Sequence, residues 1–230
     1  MSDDTTLLLF TQNNQDIIKK TLSVLEVYMN KYRNVKEVLI CDDNSIDRTV
    51  NIASSFVKNN VNIRIIVNGE MLYNKLVAKA FDYVRTPLTI IIEPELYTRL
   101  HQIQRQIKKL YKADMVLTNR FDVKSRVFFA NKQTELKMKS YNYFLQTMTG
   151  FDYQDMANIN KGFKTLKVKD LMKKCRSNKY FWQELIARAK KIDLRITQQP
   201  THYIEKKKVL KGGLMDFVSN VMELRRIARI

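Results

Sequence analysis

The sequence contains few residues that staple or break a chain: two cysteines, three prolines and five glycines among 230 residues. Cys41 and Cys175 lie far apart, which excludes a disulfide scaffold and a zinc ribbon and is typical of a reducing compartment. The longest apolar runs, Leu7–Phe10 and Leu88–Ile92, are much shorter than the about 20 residues that cross a bilayer. A chain of this length can bury a core without such staples.

Several glycine-dependent motifs are also missing. No G-x-G-x-x-G follows the first apolar run and no G-K-[ST] occurs, which argues against a dinucleotide-binding fold of the usual kind and a P-loop. No G-x-S-x-G elbow occurs, and the two histidines, His101 and His202, have no metal-ligand spacing. A nucleotide bound by this chain would therefore be held by carboxylates and a metal ion.

Charge is distributed unevenly along the chain. Residues 1–100 contain 12 basic and 12 acidic side chains, so the remaining 130 residues contain 29 basic and 11 acidic ones, the whole excess of 18. A neutral first part joined to a strongly basic second part indicates that the second part meets an anion. Nucleic acid, an anionic membrane face and a phosphate-bearing substrate all remain open at this point.

Short apolar runs alternate with stretches of helical periodicity in the first half. The runs are Thr6–Phe10, Val35–Cys41, Val61–Val67, Leu88–Ile92 and Asp114–Thr118. This alternation predicts an α/β fold in which helices cover both faces of a mostly parallel central sheet.

The pattern changes after Arg120. It predicts a basic amphipathic helix over 132–148, helices near 168–175 and 180–190, and short strands over 161–167, 193–197 and 202–205. We expect one continuous domain over 1–213, with a nucleotide-binding half (1–118) and an acceptor half (119–213). Residues 214–230 are predicted to form a basic amphipathic C-terminal helix.

Polar residues follow three of the predicted strands, where open α/β sheets bind ligands. These segments are Thr11–Asn14, Asp42–Asp47 and Glu93–Glu95. Ser45 or Asp47 could cap the next helix, which would leave Asp42 and Asp43 unexplained.

Residues 37–53, E-V-L-I-C-D-D-N-S-I-D-R-T-V-N-I-A, resemble the E-I-I-V-V-D-D-G-S-x-D-x-T-x-x-I-A segment of GT-A fold, family 2 type nucleotide-sugar glycosyltransferases. Residues 10–14 fall where that family has P-T-Y-N-E. Residues 93–95, E-P-E, fall where it has its metal-binding D-x-D. The later segments 118–121 (T-N-R-F), Asp155 with 162–164 (G-F-K), and 183–190 followed by Pro200 resemble the dolichol-phosphate mannose or glucose synthase branch, whose acceptor is a polyprenyl phosphate.

The resemblance implies a role for each candidate residue. Mg²⁺ or Mn²⁺ would be held by Glu93 and Glu95, and the nucleotide sugar by Thr11, Gln12, Asn14, Asp42, Asp43 and Glu93. The catalytic candidates are Glu95, Arg120 and Lys211, and the acceptor phosphate would meet Arg120, Lys137, Lys139, Lys164 and Lys211. Because a lipid phosphate is already an anion, an inverting attack needs positioning and electrostatic help rather than a strong general base.

Other readings of the sequence stay open. The chain could be a catalytically weakened binding or scaffold subunit, or a transferase acting on a saccharide or protein. A nucleic-acid-binding protein is disfavoured, because no helix-turn-helix or RRM-like motif occurs. The C-terminal helix could lie on an anionic membrane, giving a peripheral enzyme on the cytoplasmic membrane face, or could pack its apolar side on the domain.

Overall fold

The computed structural model describes residues 2–69, 72–205 and 216–230. The strands in these residues are β1 (Thr5–Thr11), β2 (Val35–Asp42), β3 (Ile63–Val67), β4 (Leu88–Ile92), β5 (Met115–Asn119), β6 (Arg126–Phe128), β7 (Lys161–Lys164), β8 (Ile196–Pro200) and β9 (His202–Ile204). The helices are α1 (Gln15–Lys31), α2 (Thr49–Asn59), α3 (Tyr73–Tyr83), α4 (His101–Leu110), α5 (Lys132–Thr149), α6 (Thr165–Lys174), α7 (Phe181–Lys191) and α8 (Asp216–Ala228).

Seven strands form the central sheet in the order β3-β2-β1-β4-β7-β5-β8, and β6 pairs with β9 in a separate small sheet. All neighbours in the central sheet are parallel except β7, which is antiparallel to both β4 and β5. The predicted α/β class with a mostly parallel sheet is therefore confirmed. The chain winds from β1 outward to β3 and then returns to β4 on the other side of β1, which opens a crevice between their carboxyl ends.

The sheet separates two hydrophobic clusters. Leu7 and Leu9 of β1 face the cluster formed with α1, α2 and α4, whereas Leu8 faces the cluster formed with α3, α6 and α7. This alternation is the period of two expected for a strand covered on both faces. The second cluster contains side chains from before and after residue 118, so the two halves proposed from the sequence share one core.

Local boundaries differ from the sequence prediction in the second half. The predicted strand over 161–167 ends at Lys164, because α6 begins at Thr165. The strand predicted over 193–197 is displaced to Ile196–Pro200, since Asp193 has a left-handed φ of 55° in the turn after α7. Strand β6 was not predicted, because three largely exposed residues carry no periodic signal.

Helix α8 packs against α5 and α7. Leu224 and Ile227 are completely buried in the cluster that contains α7, and Arg226 Nη2 lies 3.4 Å from Glu184 Oε2. The described apolar side of this helix thus faces the domain, the second of the two arrangements left open by the sequence. None of the described helices combines the length and the apolar character needed to cross a membrane.

Replacing Leu224 with Ala should destabilise the protein by about 2–4 kcal/mol, because it leaves a cavity under α8. Met222 on the same helix is 69% exposed, so Met222→Ala is a matched control that should change stability by less than about 0.5 kcal/mol. Urea unfolding of the three proteins measures the difference. Small and equal decreases in the free energy of unfolding of both variants would contradict the packing of α8 on the domain.

Candidate active site

A cavity of about 420 Å³ lies where the ends of β1, β4 and β5 meet the small sheet. It is lined by Phe10, Gln12, Asn14, Glu93, Pro94, Glu95, Tyr97, Arg120, Met138, Ala157, Asn158, Ile159, Tyr203 and Glu205. Four residues proposed from the sequence after β1 and β4 (Gln12, Asn14, Glu93 and Glu95) line it, as does Arg120 after β5. Parallel strands end at one edge of a sheet, which explains why segments distant in sequence meet here.

Asp42 has a structural role in the loop that follows β2. It is completely buried, and its carboxylate accepts hydrogen bonds from the Ser45 amide (2.9 Å), the Ser45 hydroxyl (2.6 Å) and the Thr11 hydroxyl (2.9 Å). Both carboxylate oxygens are therefore used inside the protein. From the sequence, Asp42 and Thr11 were predicted to bind the nucleotide. In the structure their side chains are hydrogen-bonded to each other and join the ends of β1 and β2.

Asp43 differs from Asp42 because it remains partly exposed beside the crevice. Its Oδ1 accepts a hydrogen bond of 2.8 Å from Asn68 Nδ2, and its main-chain carbonyl accepts one of 3.1 Å from Gln12 Nε2. Asn14 Oδ1 in turn accepts a hydrogen bond of 2.8 Å from the main-chain N–H of Gln12. These side chains form one polar wall beside the crevice, and their contact with a nucleotide stays a prediction.

Glu93 sits at the end of β4 with only 6% of its surface exposed. Its Oε1 accepts a hydrogen bond of 3.3 Å from the Thr98 hydroxyl, whereas its buried Oε2 has no hydrogen-bond partner. Burial raises the pKa of this carboxyl from 4.5 to about 7. A buried carboxylate oxygen without a partner lowers the stability of the folded protein, and a bound ligand would remove that cost.

Glu205 is a third glutamate of the cavity that sequence reasoning missed. It follows β9 directly, is buried, and its Oε2 also has no hydrogen-bond partner. Half-buried Glu95 lines the same cavity. An acidic residue at the end of the strand predicted over 202–205 was the available signal. Glu205 reaches the cavity because β9 also contacts the segment after β4, where Tyr203 forms a bridge with Thr98 and the Ile204 amide donates to the Tyr97 carbonyl at 2.9 Å.

The donor set fits a divalent ion. Three glutamates line one cavity, and the charge of the nearest arginine, Arg120, is balanced by Asp155. In the described part of the chain, no group of three or more His, Cys, Asp or Glu side chains is arranged to hold an ion alone. An ion would share its coordination with a diphosphate and water, the usual situation of Mg²⁺ on one or two carboxylates.

Arg120 and Asp155 form a buried bidentate ion pair. Arg120 Nε lies 2.8 Å from Asp155 Oδ2, Nη2 lies 2.9 Å from Oδ1, and the Arg120 amide also donates to Oδ2. Burial opposes the charge of Arg120, but Asp155 outweighs it and raises the pKa of the guanidinium. The guanidinium also lies 5.2 Å from the centre of the Tyr203 ring, so it joins β5 to the small sheet across the cavity.

Lys161, and not the predicted Lys164, is the lysine of β7 that lies at the edge of the crevice. Its completely buried ammonium group donates to the carbonyls of Met156 and Asn158, in the loop that lines the cavity. Burial lowers its pKa from 10.5 to about 7. Lys164 was predicted to contact the acceptor, but β7 runs antiparallel and places it at the opposite edge, 3.1 Å from Asp114 Oδ1.

The remaining predicted lysines do not line the cavity. Lys137 and Lys139 are exposed on α5, and Lys139 is paired with Glu135 at 2.6 Å. Met138, between them, reaches the cavity instead and accepts a hydrogen bond from Arg120 Nη1. Lys211 lies outside the described residues.

The mostly parallel sheet, with carboxylates at the crevice between β1 and β4, has the architecture of the GT-A glycosyltransferase class. The chain belongs to glycosyl transferase family 2, whose family model matches residues 6–172. No curated protein sequence is significantly similar to the chain.

Solved structures share this fold at low sequence identity. Mannosyl-3-phosphoglycerate synthase from Rubrobacter xylanophilus is 12% identical, with a TM-score of 0.65 over 98% of this chain and 72% of that one. Glucosyl-3-phosphoglycerate synthase from Mycobacterium tuberculosis, in complex with Mn²⁺, uridine diphosphate and phosphoglyceric acid, is 10% identical, with a TM-score of 0.61 over 97% and 76%. TarS from S. aureus, in complex with UDP-GlcNAc, is 15% identical, with a TM-score of 0.62 over 98% and 66%.

Replacing Glu93 with Gln should stabilise the protein without divalent ions above pH 7. The folded state raises the pKa of Glu93 from 4.5 to about 7, so the stability contributed by its proton is present below about pH 4.5 and lost as pH rises through about 7. A neutral Gln avoids that loss, and we expect a gain of up to about 3 kcal/mol at pH 8 and far less at pH 5.

Urea unfolding at pH 5 and pH 8 in the presence of a chelator measures this difference. The partly exposed Glu223 on α8 does not line the cavity, and Glu223→Gln serves as the charge-matched control. An equal effect of Glu93→Gln at both pH values would contradict the burial of a proton-binding carboxyl at the end of β4.

Proposed function

We propose that this chain transfers a hexose from a nucleoside-diphosphate sugar to an acceptor that carries a phosphate group, with inversion at the sugar and with Mg²⁺ or Mn²⁺. One observation carries the proposal. Two buried carboxylate oxygens without partners, on Glu93 and Glu205, line one cavity at the crevice between β1 and β4. Such an acidic cavity binds a diphosphate only when a cation offsets the repulsion.

The donor is assigned to the polar wall and the glutamates. Asp43, Gln12 and Asn14 offer hydrogen-bonding groups for the nucleoside, beside the end of β1. Glu93 and Glu95 would hold the divalent ion, and Glu205 adds a further carboxylate to the lining of the same cavity. When bound, the ion supplies charge neutralisation for the diphosphate and for the leaving group. The complex of the M. tuberculosis synthase with Mn²⁺ and uridine diphosphate supports this assignment by similarity of fold.

The residues of the chain then position the acceptor. Arg120 is fixed by Asp155 and Tyr203 and faces the cavity, so an N–H group of its guanidinium can donate a hydrogen bond to an acceptor phosphate without moving. Lys161 fixes the carbonyls of Met156 and Asn158, and thereby the loop that forms the cavity wall. A phosphate oxygen is already anionic at neutral pH, so the attack needs alignment rather than a general base.

We propose a polyprenyl phosphate as the acceptor, at the cytoplasmic face of a membrane. Arg120 and Asp155, from two segments that resemble polyprenyl-phosphate sugar synthases, are paired in the structure beside the cavity. Large apolar side chains are exposed on the adjoining elements, namely Val123, Phe128, Leu136 and Tyr143. Exposed lysines on α5, Lys137 and Lys139, lie beside Leu136, and this combination suits an anionic lipid surface. A small phosphorylated acid, such as the phosphoglyceric acid bound by the M. tuberculosis synthase, is the alternative acceptor.

Nucleoside diphosphate should bind at least about tenfold more weakly without a divalent ion, and Glu95→Gln should remove most of that metal dependence. Calorimetry with a panel of nucleoside diphosphates, with and without Mn²⁺, measures both effects. Glu223→Gln is the control that should retain the metal dependence. Equal affinity with and without Mn²⁺ in the unmodified protein would contradict the proposed metal site.

Transfer to a lipid acceptor should depend on the exposed apolar surface of α5. Leu136→Gln should raise the KM for polyprenyl phosphate in vesicles by several-fold, while the KM for the donor stays unchanged. Leu166 on α6 is 81% exposed and does not line the cavity, so Leu166→Gln is a matched control without effect. Transfer to phosphoglyceric acid but not to polyprenyl phosphate would overturn the lipid acceptor and leave the donor assignment standing.

A further inference from the structure

A second cavity, of about 270 Å³, lies beside the small sheet and is lined by His101, Gln102, Arg105, Lys124, Arg126, Pro200, Thr201 and His202. We call it the basic pocket. His202 of β9 faces this pocket, whereas the next residue, Tyr203, faces the active-site cavity. Successive side chains of a strand point to opposite faces, so the small sheet separates the two cavities.

The basic pocket contains cations without compensating anions. Arg105, Lys124 and Arg126 line it together, and within the described residues none of the three forms an ion pair with a carboxylate. No described acidic side chain lines the pocket. Like charges gathered in one concavity repel each other, and a bound anion removes that cost.

Both histidines of the chain also face this pocket, with ring centres 5.9 Å apart. Burial lowers the pKa of His101, and Arg105 and His202 lower it further, which reports a cationic surrounding. His101 also begins α4, a ten-residue helix whose first main-chain amide groups favour negative charge.

An unsatisfied polar group provides independent evidence for a ligand. Thr201 lines the basic pocket with only 2% of its surface exposed, and its buried hydroxyl has no hydrogen-bond partner in the described part of the chain. A hydroxyl without a partner is unusual inside a protein. An oxygen atom of a ligand or of a water molecule would satisfy it.

We propose that the basic pocket is an anion site for a phosphate group, separate from the donor crevice. Arginine side chains match the oxygen geometry of phosphate, and lysine adds charge. The volume admits a phosphate ester with a small organic group but lies below that of most drug-sized sites. The proposal does not depend on the sugar transfer proposed above.

The phosphate group has two sources that the experiment distinguishes, a phosphate monoester or inorganic phosphate, and a phosphodiester. A third cavity, of about 660 Å³, runs beside the active site and shares Glu95 with it and His101 with the basic pocket. The two sources are distinguished by comparing inorganic phosphate with dimethyl phosphate, a mimic of a phosphodiester chain.

Histidine-selective NMR tests the proposal directly, because the only two histidines of the chain line the basic pocket. The untagged protein is labelled on the histidine rings and titrated with inorganic phosphate at constant ionic strength, with chloride as the reference. We expect both ring signals to shift in a saturable manner. The double variant Arg105→Gln/Arg126→Gln should bind phosphate at least about tenfold more weakly, since two charge-assisted hydrogen bonds are lost.

The double variant Arg33→Gln/Arg85→Gln is the charge-matched control, because both arginines are exposed and line neither cavity. It should bind phosphate as the unmodified protein does. Lys124→Gln supplies a second, single-site variant in which phosphate binding should also weaken. Saturation by dimethyl phosphate would assign the site to a phosphodiester chain, and saturation by inorganic phosphate alone to a free or terminal phosphate.

Histidine signals that do not respond to either phosphate compound would overturn the proposal. Equal losses of phosphate affinity in the pocket variant and the control variant would also overturn the proposal, because they would show a general effect of net charge. A response to uridine diphosphate that displaces inorganic phosphate would assign the basic pocket to the donor site and overturn its separateness.

Discussion

The strand order around β1 is the constraint on which the site depends. Because β1, β2 and β4 are parallel neighbours, the segments that follow them all emerge at one edge of the sheet. The reversal of winding between β1 and β4 keeps a crevice open between these segments. The buried Asp42 carboxylate connects the ends of β1 and β2 by hydrogen bonds to Thr11 and Ser45. Asp43 and the residues after β4 therefore remain available to a ligand.

The same geometry concentrates carboxylates that the protein itself does not neutralise. Glu93 and Glu205 each have a buried oxygen without a partner, and burial raises the pKa of Glu93 to about 7. Such a cavity is unfavourable for the empty protein and favourable once a cation and a diphosphate are present. A local cost in stability of this kind is common where proteins bind or transform charged substrates.

The second half of the chain completes this crevice with cations held in place by the fold. Arg120 is locked by Asp155, and Lys161 is locked by main-chain carbonyls of the loop that follows Asp155. Both are placed by β5 and β7, whereas the small sheet supplies Tyr203 and Glu205 from the opposite side. The small sheet also carries His202 on its other face, so a single strand contributes to the active-site cavity and to the basic pocket.

The sequence by itself determined the local features: apolar runs for the five leading strands, helical stripes between them, and the polar segments after β1, β2 and β4. These follow from short-range periodicity, which needs no knowledge of the fold. Tertiary structure decided the rest. The antiparallel direction of β7 placed Lys161 rather than Lys164 at the crevice, and contacts of β9 with the segment after β4 brought Glu205 into the cavity that Glu93 lines. Strand direction and partner depend on contacts between residues far apart in the chain, which periodicity does not encode.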